Sequence, residues 1–236
     1  MTRFAILVVL PMLLIVGSAV GAPAATVRVD SFRWTQRTPA TNPAAREEAA
    51  MAYDAASRKT VLFGGFKDAS TAFGDTWTWD GASWTQQHPA TSPPARMDAA
   101  IATDPRTGHV VLFGGSSLAG AEDLGDTWTW DGATWTQRHP ATSPSARGEA
   151  TMAADPTTGK VVLFGGRTRE GPGYQGDTWA WDGVTWTQLH PRTSPTPRTF
   201  PVSASDFAQR EVVLYGGIDM TGTPTDTWTW DGATWT

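Results

Sequence analysis

The chain of 236 residues contains no cysteine. That absence excludes disulfides, thiol catalysis, zinc–thiolate sites, iron–sulfur clusters and thioether-linked cofactors. Charge is also scarce: Lys and Arg total 18, Asp and Glu 23, for a net charge of −5. Arg3 is the only charge in the first 25 residues, so their removal leaves 17 basic and 23 acidic side chains. A mildly acidic chain with no basic stretch is a poor match to nucleic-acid binding. Beyond residue 25 no segment shows a helical period. No glycine-rich loop opens a helix, so a phosphate cradle is missing. No Ser-His-Asp arrangement is recognisable. Against these gaps stand 13 Trp, 24 Gly and 17 Pro, an all-β composition punctuated by turns.

The N-terminus reads as an address. Met1-Thr2-Arg3 is a short basic region, residues 4–16 are almost wholly apolar, and small residues follow to Ala22-Pro23-Ala24. This is the layout of a secretory signal peptide spanning residues 1–24, cut after Ala24. The apolar run is short for a membrane span of about 20 residues, which leaves an uncleaved anchor as the alternative. Expected localisation is therefore secreted or extracytoplasmic, with no membrane association after cleavage.

The rest of the chain repeats. The pair Gly64-Gly65 returns as Gly114-Gly115, Gly165-Gly166 and Gly216-Gly217, in steps of 50, 51 and 51. Arg46 returns as Arg96, Arg147 and Arg198 in the same steps. Trp77 and Trp79 return as Trp128 and Trp130, Trp179 and Trp181, Trp228 and Trp230; Trp34 returns as Trp84, Trp135, Trp186 and Trp235. All 13 Trp belong to this pattern. Each unit reads as four strands, a to d. In the second unit, strand a covers 98–103, the turn Asp104-Pro105-Arg106-Thr107-Gly108 follows, and strand b is the apolar run 110–115. After a variable loop, strand c alternates as Asp126-Thr-Trp-Thr-Trp130. Asp131-Gly132 is a hairpin dipeptide, and strand d follows. Prolines in the His139-Pro140 linker keep the next connection extended.

Four strands in about 50 residues make one propeller blade. The two-glycine end of strand b, the aromatic strand c and the Trp of strand d resemble the kelch repeat over about residues 30–236. Secreted bacterial kelch proteins with a galactose-oxidase-like central fold are the family it resembles. The expected fold is an all-β, kelch-type β-propeller over 25–236. Its four four-stranded blades fall at about 46–87, 96–138, 147–189 and 198–236, with an extra strand at 32–36. Kelch rings commonly have six or seven blades, so three readings stay open: a fragment, a ring completed by a second chain, or a four-bladed ring. An open arc would expose unpaired edges and invite self-association.

Candidate site residues sit at one end of the blades, where b–c loops meet d–a linkers. Arg46, Arg96, Arg147 and Arg198 open the inner strands there. In kelch domains that bind acidic peptides, Arg at this position lines the pocket; structurally, each would pair with a carboxylate such as Glu47, Asp98 or Glu149. His88, His139 and His190 occupy equivalent His-Pro linkers, one per blade, too dispersed to meet at one ion. The variable loops 66–73, 116–124, 167–175 and 218–225 carry Lys67, Asp68, Glu122, Asp123, Arg167, Arg169, Glu170 and Asp219. Variable loops on a regular scaffold are where binding is usually placed.

The resemblance offers enzymes as well. A galactose-oxidase copper site needs a Tyr–Cys cross-link, which this chain cannot form. The turn from Thr129 to Trp135 is similar to a sialidase Asp-box, but its Gly comes one residue early. Neither a sialidase arginine triad nor the residues of sialic-acid epimerases are evident. The favoured expectation is an exported, non-catalytic module for a protein or glycan ligand, with no cofactor and no metal. A carbohydrate-active enzyme is the alternative.

Overall fold

The computed structural model describes residues 33–68, 70–117, 122–169 and 173–236. Residues 1–24, expected to be a signal peptide, lie outside the described residues. Four antiparallel sheets follow one another along the chain, three with strand order a-b-c-d and the fourth with a-b-c completed by a bridge. Blade 1 is Ala50–Asp54, Lys59–Phe63, Thr76–Trp79 and Trp84–Gln87; blade 2 is Ala100–Thr103, Val110–Phe113, Thr127–Trp130 and Trp135–Arg138. Blade 3 is Thr151–Asp155, Lys160–Phe164, Thr178–Trp181 and Trp186–Leu189. Blade 4 is Val202–Asp206, Glu211–Tyr215 and Thr227–Trp230; its fourth position is a Trp230–Trp235 bridge, with Thr229 and Thr236 exchanging N–H···O bonds of 2.8 and 2.9 Å. The fold is a four-bladed β-propeller. Of the extra strand expected at 32–36, residues 33–36 make no ladder among the described residues, and Trp34 is 88% exposed. A strand without a partner has nowhere to place its backbone hydrogen bonds except water.

Turn chemistry holds each hairpin in register. At the c–d turns, the Asp131 carboxylate accepts from the N–H groups of Ala133 and Thr134 at 2.9 and 2.8 Å, while Gly132 takes φ of +96°. Asp80, Asp182 and Asp231 make the same pair of bonds. At the a–b turns the Asp that ends strand a does likewise: Asp54, Asp155 and Asp206 each accept from two following N–H groups. Such side-chain caps are why Asp is favoured in these turns. Strand b ends before the glycine pair, because both glycines take positive φ. A β-carbon at Gly64 would lie 2.5 Å from the Arg96 carbonyl oxygen, so the next blade closes over bare backbone.

Blades stack through their faces. The inner strand of blade 1 packs on that of blade 2, blade 2 on blade 3, and blade 3 on blade 4; among the described residues no packing of that kind joins blade 4 to blade 1. Period-2 alternation puts the threonines of strand c on the face toward the following blade and its tryptophans toward the preceding one. Between blades 1 and 2, Val61 and Phe63 meet Val110, Leu112, Trp128, Trp130 and Trp135. The equivalent residues fill the two later joints. In each joint the strand-d Trp meets the preceding blade's Phe edge-on at 5.4 Å and its own blade's strand-c Trp at a tilt. Its indole N–H donates backward: Trp135 to Thr76, Trp186 to Thr127 and Trp235 to Thr178, at 2.9, 2.9 and 3.0 Å.

Two tryptophans of blade 3 separate the apolar and polar parts of this joint. Trp181 and Trp186 are both fully buried, yet only Trp186 donates its N–H; that of Trp181 has no acceptor. Trp186→Phe removes a buried hydrogen bond and strands the Thr127 hydroxyl, whereas Trp181→Phe removes a donor that already lacks an acceptor. Chemical denaturation is expected to show Trp186→Phe the more destabilising by about 1–2 kcal/mol. Equal losses would mean the indole N–H bond contributes nothing to the joint.

Candidate functional site

The four arginine side chains are buried at the root of their blades. Arg96 donates through Nη1 to the Gly114 carbonyl (2.9 Å) and to Asp126 Oδ1 (2.5 Å), through Nη2 to Asp126 Oδ2 (2.8 Å), and through Nε to the Pro94 carbonyl (3.1 Å). Arg147 repeats this with Gly165, Asp177 and Ser145; Arg198 with Gly216, Asp226 and Thr196; Arg46 with Gly64, Asp75 and Ala44. The guanidinium therefore ties the start of strand a to the end of strand b and the start of strand c. The same carboxylates accept the first strand-c indole N–H at 2.6–2.8 Å: Trp77 to Asp75, Trp128 to Asp126, Trp179 to Asp177, Trp228 to Asp226. The partners are these aspartates, about 30 residues downstream, rather than Glu47, Asp98 or Glu149 beside the arginines. Arg96, Arg147 and Arg198 are each 1% exposed.

Burial would raise the carboxyls of Asp75, Asp126 and Asp177, but the arginine bonds and charge outweigh it and hold them below the usual carboxylate range. At Asp226 the Arg198 bond is the leading cause of the same lowering.

A feature absent from the sequence reading lies two residues after each arginine. Glu48, Asp98, Glu149 and Phe200 have φ of 55°, 57°, 63° and 52°, the left-handed region that side chains seldom adopt. In blades 2, 3 and 4 this residue also bonds to the preceding blade. Asp98 N–H donates to the Glu48 carbonyl (3.2 Å), Glu149 to Asp98 (3.1 Å) and Phe200 to Glu149 (2.9 Å), one step per joint. Three carboxylates are thereby lined up. Asp98 shares a hydrogen bond with Glu48; burial first, then the charges of Glu48 and Glu149, push its carboxyl up to about 8, opposed by Arg167. Arg167 in turn pairs with Glu149 at 3.1 Å, and Thr199 donates to the other Glu149 oxygen. The sequence signal was a repeated acidic position, masked by the arginine beside it.

The loops add unrepeated polar groups at the same end. Ser116 Oγ donates to Asp123 Oδ1 (3.1 Å), while the Arg169 backbone N–H donates to Asp123 Oδ2 (2.6 Å) and its Nε lies 3.4 Å from Oδ1. This clasp joins the b–c loops of blades 2 and 3. Lys67 and Asp68 sit on the small hairpin Phe66–Asp68 and Thr71–Ala72 of blade 1, where Asp68 caps Ser70. Both are exposed, as is Glu122. Glu170 lies outside the described residues. Asp219 caps its own turn through Thr221 and Gly222 and accepts from Thr196, and these bonds hold it at about 2.

His88, His139 and His190 are all exposed, each just past the outermost strand of a different blade. The structure does not bring them together, and no metal-holding group of His, Cys, Asp or Glu occurs among the described residues. His109, at the opposite end, places Nδ1 3.3 Å from Asp54 Oδ1 of the preceding blade. A cleft of about 540 Å³ opens at that opposite end, lined by inner strands and a–b turns, including Tyr53, Thr103, Ala154 and Phe207. None of the sequence-predicted site residues lines it. The sequence matches no protein-family model and no curated protein.

Opposed pH dependences follow from these carboxyls. The arginine-paired aspartates are held low, so their contribution is complete above about pH 4 and is lost as pH falls through their folded values. Asp98 is held high, so the folded state keeps a proton that the unfolded chain releases, and stability declines as pH rises from about 4 toward 8. Thermal unfolding should show Asp98→Asn more stable than the parent at pH 8, with the gain fading toward pH 5. A gain independent of pH would remove the proton from the explanation. Arg147→Met, which strands Asp177 in a largely buried site, is expected to cost about 3–5 kcal/mol, read from denaturant midpoints.

Proposed function

We propose that the protein is an exported, non-catalytic binding module of the kelch-propeller type, taking a polar protein or glycan ligand at its b–c loop face. One observation carries the reading. The polar groups repeated in every blade are spent inside the blades, while the unrepeated ones, Arg167, Asp123 and Arg169, gather beside the Glu48–Asp98–Glu149 row. A carboxylate row with neighbouring guanidinium groups offers acceptors and donors at fixed spacing, which suits hydroxyl-rich or amide-rich ligands. Lys67, Asp68 and Glu122 extend that face outward. The basic, apolar and small-residue succession of residues 1–24 supports export.

The alternative, catalysis on a sugar, is favoured by Asp98 alone. A carboxyl protonated near neutrality beside Glu48 has the pairing that general acid–base chemistry uses.

The test is a screen of glycans and peptides followed by titration calorimetry. Arg167→Ala removes the Glu149 partner without touching a blade root, and is expected to weaken a ligand found at this face about tenfold or more, with unchanged unfolding temperature. Unaltered affinity would move the ligand elsewhere. Turnover of a sugar, abolished by Asp98→Asn, would replace the binding reading with the enzymatic one.

A further inference from the structure

The three joints inside the chain are copies of one device. The later blade supplies the strand-d indole that donates to Thr76, Thr127 or Thr178 and meets Phe63, Phe113 or Phe164 edge-on. The earlier blade supplies a glycine N–H: Gly65, Gly115 and Gly166 donate to the carbonyls of Arg96, Arg147 and Arg198 at 2.8, 2.9 and 2.9 Å. The arginine N–H groups return the bond to Phe73, Leu124 and Gln175 at 3.2, 3.0 and 3.0 Å.

The two outer faces carry the two halves of this device. Blade 4 ends in Thr227, Tyr215 and the Gly217 N–H, at the positions of Thr76, Phe63 and Gly65. Blade 1 begins with Trp84 and the backbone of Arg46, at the positions of Trp135 and Arg96. None of these is matched across a joint among the described residues. A β-carbon on Gly216 meets no arginine carbonyl, unlike one on Gly64. Met51 and Val202, on the two outer faces, are 59% and 53% exposed, whereas Met152, equivalent to Met51, is 6% exposed. Even the linker rim is in place on blade 1. Thr41 donates to the Trp84 carbonyl at 2.9 Å, as Thr91, Thr142 and Thr193 do to those of Trp135, Trp186 and Trp235.

We propose that these faces bind each other between two copies of the chain, blade 4 of one seated on blade 1 of the next. Each face holds the half that the other lacks, and the contact continues the joint already made three times. A like-on-like contact would oppose Trp84 to Trp84 with no threonine acceptor, so the pairing is head to tail. Joined at both ends, two copies form a ring of eight blades with no open face.

The internal joint supplies the probe. The Thr151 and Ser203 hydroxyls lie 2.6 Å apart between blades 3 and 4. Across the proposed joint the equivalent positions are Val202 of one copy and Met51 of the next. Because the chain has no cysteine, a mixture of Val202→Cys and Met51→Cys proteins should form a disulfide-linked pair under oxidation, far beyond either variant alone. The parent chain should show twice its chain mass or more by light scattering. Val202→Arg, at a site exposed in the single chain, should shift that mass to one chain that keeps its folded circular-dichroism spectrum. A monomer that yields no cross-link overturns the proposal, including the case in which further blades of a longer native polypeptide cover these faces. A dimer that ignores Val202→Arg, or that cross-links equally in the single variants, overturns it as well.

Discussion

A buried arginine must be paired and have its donors satisfied, and that requirement organises every blade. The guanidinium reaches its aspartate bidentately and the glycine carbonyl at once. Three strands separated by up to 30 residues are thereby fixed at one end. The aspartate then orients the first strand-c indole, and strand alternation carries the second indole into the joint with the preceding blade. Tryptophan packing supplies the apolar burial, but the arginine–aspartate root decides where each tryptophan stands.

The same root explains the strained backbone beside it. With the arginine held in its blade, the residue two places on is drawn to the preceding blade by its N–H bond. The left-handed conformation costs about 1–2 kcal/mol where the residue is not glycine. That bond is present in blades 2, 3 and 4, and Glu48 of blade 1 takes the same conformation. In three blades that residue is acidic, so a backbone constraint also sets the spacing of a carboxylate row.

Much of the architecture was legible because it repeats. The glycine pairs, the Trp-Thr-Trp strands and the Asp-Gly turns each mark a strand end or a pairing, and the four sheets lie where those marks put them. Legibility failed where the partner lies far along the chain or is missing. Arg96 sits two residues from Asp98, yet pairs with Asp126, because strand topology and not proximity brings the start of strand c to the start of strand a. Trp34 has the sequence of a strand-d residue, but among the described residues no ladder forms around it. The carboxylate row was hidden for a third reason. Its geometry arises from one hydrogen bond per joint between blades, a relation that no single repeat contains.

Repetition also separates scaffold from site. A residue needed by every blade recurs in every blade, and the arginines, strand-c aspartates and strand-d indoles do so with near-identical distances. The Asp123–Arg169 clasp and the Arg167–Glu149 pair occur once, at the end where loops of neighbouring blades meet. Those contacts cannot be required by the fold, since the other joints form without them. Selection for the blade alone would leave that end unspecified. The polar groups gathered there are the part of the molecule that the repeated packing does not explain.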